Sequence, residues 1–185
     1  MNETHAIDLN IIGKEELFER IYSQKQLFID LFTAIANEFP QSILKTIKSD
    51  SKGTKVSQGW NLNGTPYQVL DIFRNFDPLT GSNIRLLNWW GNGLYVVFHV
   101  GVQHWLNLKV EYLERLKFFH VGFGSGVFDY KDHFSKDTAL TSDSIQACIK
   151  GKQNFVIYRA IQWNSIDQIK NDCIETIQTL LDLYN

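Results

Sequence analysis

Aromatic and polar side chains that could together bind a small molecule recur in the middle of this chain, between positions 60 and 99. Indole, phenol and imidazole rings combine a flat apolar surface with a hydrogen-bonding edge, and an arginine can fix an anionic group. The candidate ligand-binding residues are Trp60, Asp71, Arg85, Asn88, Trp90, Tyr95 and His99. A concave wall of such residues is typical of small-ligand sites, so binding is the first functional hypothesis.

Arg85 is the most informative of these residues, because it is predicted on a strand face that is otherwise apolar. A guanidinium in such a place must find a carboxylate or reach water. Asp71 and Asp77 are the candidate partners. The sequence leaves two interpretations open: a structural ion pair, and an arginine that holds an anionic ligand.

Acid–base or metal-assisted chemistry is the alternative, in a hydrolase that would use a histidine with an aspartate, the candidates being His99, His133, Asp71 and Asp132. A general base needs an oriented imidazole, which a neighbouring carboxylate can provide. The histidines lack the spacing of zinc ligands, so we predict neither a metal nor a cofactor. Ser125 lacks glycines at the two positions that a Gly-x-Ser-x-Gly nucleophile elbow requires. No catalytic residue is therefore assigned, and enzyme activity stays an open question.

Composition argues against several classes of partner. The formal net charge of -2 and the isoelectric point near 6.2 oppose binding to nucleic acid. The longest apolar run, 94–98, is too short to cross a bilayer, and the first residues lack the pattern of a signal peptide. We therefore expect a cytoplasmic protein without membrane contact. Cys148 and Cys173 are expected to be free thiols in helices, where cysteine behaves as a small apolar residue.

Two Asn-Gly pairs, Asn63-Gly64 and Asn92-Gly93, indicate the elements that position the candidate residues. Asparagine and glycine tolerate the positive φ of tight hairpin turns, and each pair separates two runs of strand-forming residues. The runs cover 54–62, 65–73, 83–90 and 94–101. They predict an antiparallel meander sheet built on two hairpins, although residues 65–68 also fit the capped start of a helix.

Long amphipathic helices are predicted near both ends of the chain, over residues 14–38 and from residue 166 onward. Ser165 and Gln168 form a capping-box pattern at the start of the second. Helices before and after an antiparallel sheet predict one α+β domain covering residues 1–185, with the helices packed on one sheet face. Residues 1–13 are expected to be a loosely ordered lead-in or a short docked strand.

The turn positions also predict which side chains share a face of the sheet. A two-residue loop at Asn92-Gly93 pairs residue 90 with 95 and residue 88 with 97, which groups Asn88, Trp90, Tyr95 and His99. A two-residue loop at Asn63-Gly64 groups Trp60 with Asp71 in the first hairpin. If the two faces are continuous, they form a wall for a small molecule or a protein partner. Two alternatives stay open: these aromatics are ordinary core residues, or they form the interface of a homo-oligomer.

Overall fold

The structure, a computed structural model, describes residues 7–106, 113–150 and 154–184. Six antiparallel strands form one sheet in the order β1-β2-β3-β4-β6-β5. The strands are β1 Lys55–Leu62, β2 Thr65–Asp71, β3 Ser82–Trp89, β4 Gly93–Gly101, β5 His120–Gly122 and β6 Asn154–Ile161. The antiparallel sheet and the α+β class are as predicted. The segment 65–68 is strand rather than the start of a helix.

Helices precede, interrupt and follow the sheet. They are α1 Leu9–Ile12, α2 Glu15–Asn37, α3 Gln41–Ile47, α4 Val102–Leu106, α5 Tyr130–His133, α6 Ser142–Ile149 and α7 Ile166–Leu181, with a 3₁₀ turn at Asp182–Tyr184. Residues 9–12 form one helical turn, so the docked strand considered for the lead-in is wrong. The apolar spacing over residues 103–116 also predicts a helix, and this segment lies partly outside the described residues. No helix in the described ranges has the length and apolar character needed to cross a membrane.

Helix α7 begins where the sequence pattern places its cap. The Ser165 side chain accepts a hydrogen bond from the Gln168 backbone N–H at 3.3 Å, which satisfies one of the donors left free at a helix start. From there Ile169, Cys173 and Ile177 recur at helical spacing and are buried against the sheet. Cys148 and Cys173 are buried thiols that form no disulfide, as predicted, and burial raises the pKa of the Cys173 thiol to about 12.

The sheet has two buried faces, which we call the helix face and the outer face. On the helix face, apolar side chains pack against α2 and α7; they include Leu70, Leu86, Val96, Phe98 and Ile157. On the outer face, a second cluster packs against α5 and its flanking loops; it includes Val69, Leu87, Val97, Val156 and Tyr158. Alternation along the strands assigns each neighbouring residue to the opposite face.

The loop between β3 and β4 corrects the predicted register. Trp89 pairs with Gly93, so the loop is Trp90–Asn92 rather than Asn92-Gly93. Gly91 has a positive φ of 77°, which glycine adopts readily. The predicted two-residue turn at Asn92-Gly93 would not have required a positive φ at Gly91. The shift changes the pairing by an odd number of residues and moves every β4 side chain to the opposite face. Tyr95 and His99 therefore do not share a face with Asn88.

A second correction applies to the first hairpin. Leu62 pairs with Thr65, with Asn63-Gly64 between them, but an irregularity between Gly59 and Leu62 changes the register beyond it. Lys55 rather than Val56 consequently lies opposite Asp71. A bulge inserts an extra residue on one strand, so the face predicted to join Trp60 with Asp71 does not exist.

Candidate functional site

A buried ion pair lies at the centre of the outer face. Arg85 on β3 pairs with Asp71 on the neighbouring strand β2. Arg85 Nε donates to Asp71 Oδ1 at 2.7 Å, and Nη2 donates to Oδ2 at 2.8 Å, which is the bidentate geometry of strong arginine–carboxylate pairs. Burial by itself lowers the pKa of Arg85, but the hydrogen bonds and charge of Asp71 outweigh it and raise that pKa. Of the two partners proposed from sequence, Asp71 is the correct one.

Asn83 anchors the same carboxylate from the next outward-facing position of β3. Its Nδ2 donates to Asp71 Oδ1 at 2.7 Å, while its Oδ1 accepts from the backbone N–H groups of Phe73 and Arg74 at 3.1 and 2.8 Å. Asn83 thus links the ion pair to the chain that leaves β2. Arg74 has φ 60°, so the chain turns sharply at this point.

Tyr130 of α5 continues the hydrogen-bonded network from Arg85 to His99. Its hydroxyl accepts from Arg85 Nη1 at 2.9 Å and lies 3.5 Å from His99 Nε2. Burial raises the pKa of Tyr130 to about 12, so the phenol keeps its proton and can direct it at His99. Burial, and then the positive charge of Arg85, lower the pKa of His99 well below 6.5. His99 is therefore neutral, and we assign its proton to Nδ1.

His99 Nδ1 is buried and has no hydrogen-bond partner among the described residues. His99 lines a cavity of about 10 Å³ that is partly open to solvent, together with Asn75, Phe76, Asp77, Gly81 and Val127. A cavity of this size holds a single water molecule or one oxygen-sized group. Buried polar groups usually have partners, so a donor without one beside such a cavity indicates a place for an acceptor atom.

Two aromatic rings cover the network from the loops on either side. The Phe76 and Phe128 rings lie 5.7 and 5.9 Å from the His99 ring and 5.4 Å from each other. The same two rings lie 5.3 and 5.0 Å from the Arg85 guanidinium carbon. Half of the Phe128 side chain is exposed, whereas His99 is buried beneath it. The rings therefore form an apolar rim above the polar groups.

His133 fixes the glycine-rich loop that leads to Phe128, one of the two rim rings. The Gly124 backbone N–H donates to His133 Nδ1 at 3.0 Å, so the ring proton sits on Nε2, which donates to the Gly126 carbonyl at 2.8 Å. A Cβ atom at Gly124 would lie 2.8 Å from this ring, so only glycine allows the approach. Both ring nitrogens bond to the backbone, and neither is positioned as a general base for a substrate.

The structure brings some of the predicted site residues together and separates the others. Asp71, Arg85 and His99 belong to the network. Tyr95 lies on the outer face, where its ring stacks on Phe134 at 4.1 Å, and Phe134 in turn stacks on Tyr130 at 5.6 Å. The outer face therefore contains four of the seven candidates: Asp71, Arg85, Tyr95 and His99.

The remaining candidates, Trp60, Asn88 and Trp90, lie away from this network. Asn88 Nδ2 and Trp90 Nε1 both donate to Gln68 Oε1, at 2.7 and 2.8 Å. Lys25 of α2 lies 4.5 Å above the Trp60 ring. The packing of Lys25 on Trp60 and the alternation of β2 and β3 place all three on the α2 side of the sheet. They cannot line one site with His99.

Sequence reasoning missed four residues of the site: Phe76, Asn83, Phe128 and Tyr130. Tyr130 falls 45 residues after its partner Arg85, and nothing local predicts that contact. Its position in the densest titratable segment of the chain, 129–133, was the available signal. The two phenylalanines lie in loops, where residue spacing does not indicate the direction in which a side chain points.

No group of three or more metal-ligating side chains converges among the residues the structure describes. Comparison with known proteins gives no relative: no family model, curated protein or solved structure matches this chain. The geometry of the outer face is therefore the basis for inferring a function.

Proposed function

We propose that this protein is a binding domain that takes up a small molecule at the Arg85–Tyr130–His99 network of the outer face. One observation carries the proposal: His99 Nδ1 is a buried donor without a partner among the described residues, and His99 lines an oxygen-sized cavity. A ligand oxygen in that cavity would satisfy the donor. The ligand body would then lie against the rings of Phe76 and Phe128.

The charges around the cavity favour a neutral ligand. Asp71 neutralises Arg85, and His99 carries no charge. Asp77 lines the cavity, and hydrogen bonds from the Thr80 backbone and side chain hold the pKa of its carboxyl below the usual value, so it is anionic. A carboxylate ligand would meet this negative charge without an uncompensated cation. We therefore propose an aromatic or apolar molecule with a carbonyl or amide oxygen, rather than the anionic ligand that the sequence suggested for Arg85.

Benzamide and benzoate form a matched pair of probes, since they share a ring and differ in charge. Titration into ¹⁵N-labelled protein should shift the His99 imidazole and Val127 amide resonances with benzamide, with a dissociation constant on the order of millimolar. Benzoate should shift them less. Equal or stronger shifts with benzoate would restore the anion-holding role of Arg85 and overturn the neutral-ligand proposal.

Two substitutions of His99 separate binding from packing. In His99→Asn the side-chain amide can replace Nδ1–H as a donor, so benzamide binding should persist. In His99→Leu the donor is lost, and we expect about fivefold weaker binding, since one well-placed hydrogen bond contributes on the order of 1 kcal/mol. A His99→Leu protein that folds and binds benzamide like the wild type would overturn the proposed site.

The hydrolase alternative receives no support from the described geometry. Asp71 is occupied by Arg85 and Asn83, and the two nitrogens of His133 bond to backbone groups. Catalysis therefore stays a hypothesis from the sequence, and binding is the function that the contacts favour.

A further inference from the structure

The first half of helix α2 is amphipathic and packs on little of the part of the chain that the structure describes. The buried residues of α2 are Leu31, Phe32 and Ile35, all in its second half. Of residues 15–24, only Ile21 is even partly buried, although the apolar stripe continues through Leu17. The exposed apolar side chains of this half are Leu17, Phe18 and Tyr22, with exposed fractions of 37%, 47% and 67%. Exposed contiguous apolar surface of this kind marks an interaction site.

Two neighbouring features extend the apolar surface in opposite directions. Helix α1 precedes α2 and has no buried residue; Ile7, Leu9, Ile11 and Ile12 are all more than half exposed. At the other end, a groove of about 180 Å³ lies between α2 and the start of α7, lined by Leu27, Phe28, Leu31, Trp163, Ile166 and Ile169 among others. An apolar segment and an apolar groove thus flank the exposed half of α2.

We propose that this surface binds a second copy of the same chain, with the two α2 helices crossing antiparallel near Glu19. In that register Leu17 of one copy lies opposite Ile21 of the other, and the apolar stripe of each α2 helix is buried against the stripe of its partner. The helix is broken at Gly13 and Lys14, so residues are not paired one by one beyond α2, but the antiparallel direction sends the α1 end of one copy toward the α2–α7 groove of the other. The apolar segment around α1 therefore arrives at the apolar groove, twice, as the symmetry of a closed dimer requires.

The charges of the helix select the antiparallel direction. Glu15, Glu16 and Glu19 precede Arg20 and Lys25 along α2. In the proposed register Glu15 and Glu16 lie opposite residues 22 and 23 of the second copy, between its Arg20 and Lys25. A parallel pair would instead set Glu15 and Glu16 level with themselves, which is unfavourable, whereas Glu19 lies level with itself in either direction. The charges of Glu15 and Glu16 therefore favour the antiparallel orientation.

The first experiment measures mass in solution by light scattering coupled to size exclusion, at about 100 μM chain, where a dimer of standard interface size is populated. We expect twice the 21.4 kDa mass of one chain. The variant Leu17→Lys with Ile21→Lys should be monomeric with unchanged helical content by circular dichroism. Phe118→Lys is the control, since Phe118 is an exposed apolar residue outside the proposed interface, and it should stay dimeric. A monomeric wild type, or a dimer that survives the double substitution, overturns the proposal.

A charge exchange tests the direction of the helices. Glu15→Lys with Glu16→Lys should weaken the dimer by about tenfold, because exposed ion pairs each contribute little and the two-fold axis repeats them. Adding Arg20→Glu and Lys25→Glu to the same chain should restore the affinity. Failure of this restoration, with the apolar variant still monomeric, overturns the antiparallel register.

Discussion

The helix face and the outer face of the sheet both contain buried side chains, but they are buried by different chemistry. On the helix face, Leu86 and Phe98 meet apolar side chains of α2 and α7, so packing alone decides the contribution of each residue. On the outer face, Arg85 occupies the position next to Leu86 and bonds to Asp71 of β2 and Tyr130 of α5, while Asn83 of β3 holds Asp71 in place. Apolar packing therefore tolerates small adjustments, whereas a buried charge depends on every group that neutralises it.

The largest effect should come from removing the carboxylate of the outer face. Asp71→Ala leaves Arg85 charged and buried, and takes an acceptor from Asn83, so we expect the free energy of unfolding to fall by about 3–5 kcal/mol. Urea denaturation followed by tryptophan fluorescence measures the change. The double variant Asp71→Leu with Arg85→Met should be less destabilised than Asp71→Ala, since it removes both charges together. Equal losses in the two variants would mean that cavity formation, rather than the unpaired charge, dominates.

Leu86 and Leu87 offer a direct comparison of the two faces, because they are adjacent in β3, fully buried and point in opposite directions. Truncation to alanine should lower the unfolding free energy by about 2–5 kcal/mol in each case. Leu86→Ala should be the costlier change, since the long helices above it cannot easily close the cavity. Leu87 lies under the short helix α5 and loops, which can relax toward the space. A larger loss for Leu87→Ala in urea denaturation would show that the outer face is the more rigid one.

The sequence predicts the class of fold because the information is local. Alternation and turn residues place β1 to β4, and the Ser165 cap together with the stripe from Ile169 to Ile177 places α7. The sequence could not predict which side chains share a face of the sheet, because in each hairpin this depends on a single inserted or omitted residue. The irregularity between Gly59 and Leu62, and the longer loop at Trp90–Asn92, reverse the assignment without changing any residue type.

The candidate site was predicted only in part, for a related reason. Asp71 and Arg85 face each other on adjacent strands. The requirement that an arginine on an apolar face must find a carboxylate was therefore sufficient to suggest Asp71 as its partner. His99 enters the same site only through the corrected register, and Tyr130 only through the tertiary packing of α5. A contact over such a sequence separation leaves no periodic signal in either segment.

The pH dependence of stability should report the buried imidazole of the outer face. The folded pKa of His99 lies well below 6.5, its ordinary value in an unfolded chain, so the unfolded state binds the proton first as pH falls. Stability is therefore present above about pH 6.5 and is lost below it, by up to about 1.4 kcal/mol per pH unit. His99→Asn should reduce this slope in urea denaturation between about pH 5 and 7. A residual slope is expected from His104, because burial also lowers the pKa of that imidazole. An unchanged slope in His99→Asn would mean that protonation of His99 does not contribute to the pH dependence of stability.

The smallest effect on stability should come from the rim of the outer face. Phe128 is half exposed, so Phe128→Ala should lower the unfolding free energy by only about 0.5–1 kcal/mol, as should the control Phe118→Ala. The two variants should differ in access to His99, because the Phe128 ring lies 5.9 Å from the imidazole and covers it. Acylation by diethylpyrocarbonate, followed by mass spectrometry of the His99 peptide, should be faster in Phe128→Ala and unchanged in Phe118→Ala. Equal acylation rates of His99 in the two variants would mean that Phe128 does not limit access to His99. A ligand would then reach His99 by another path.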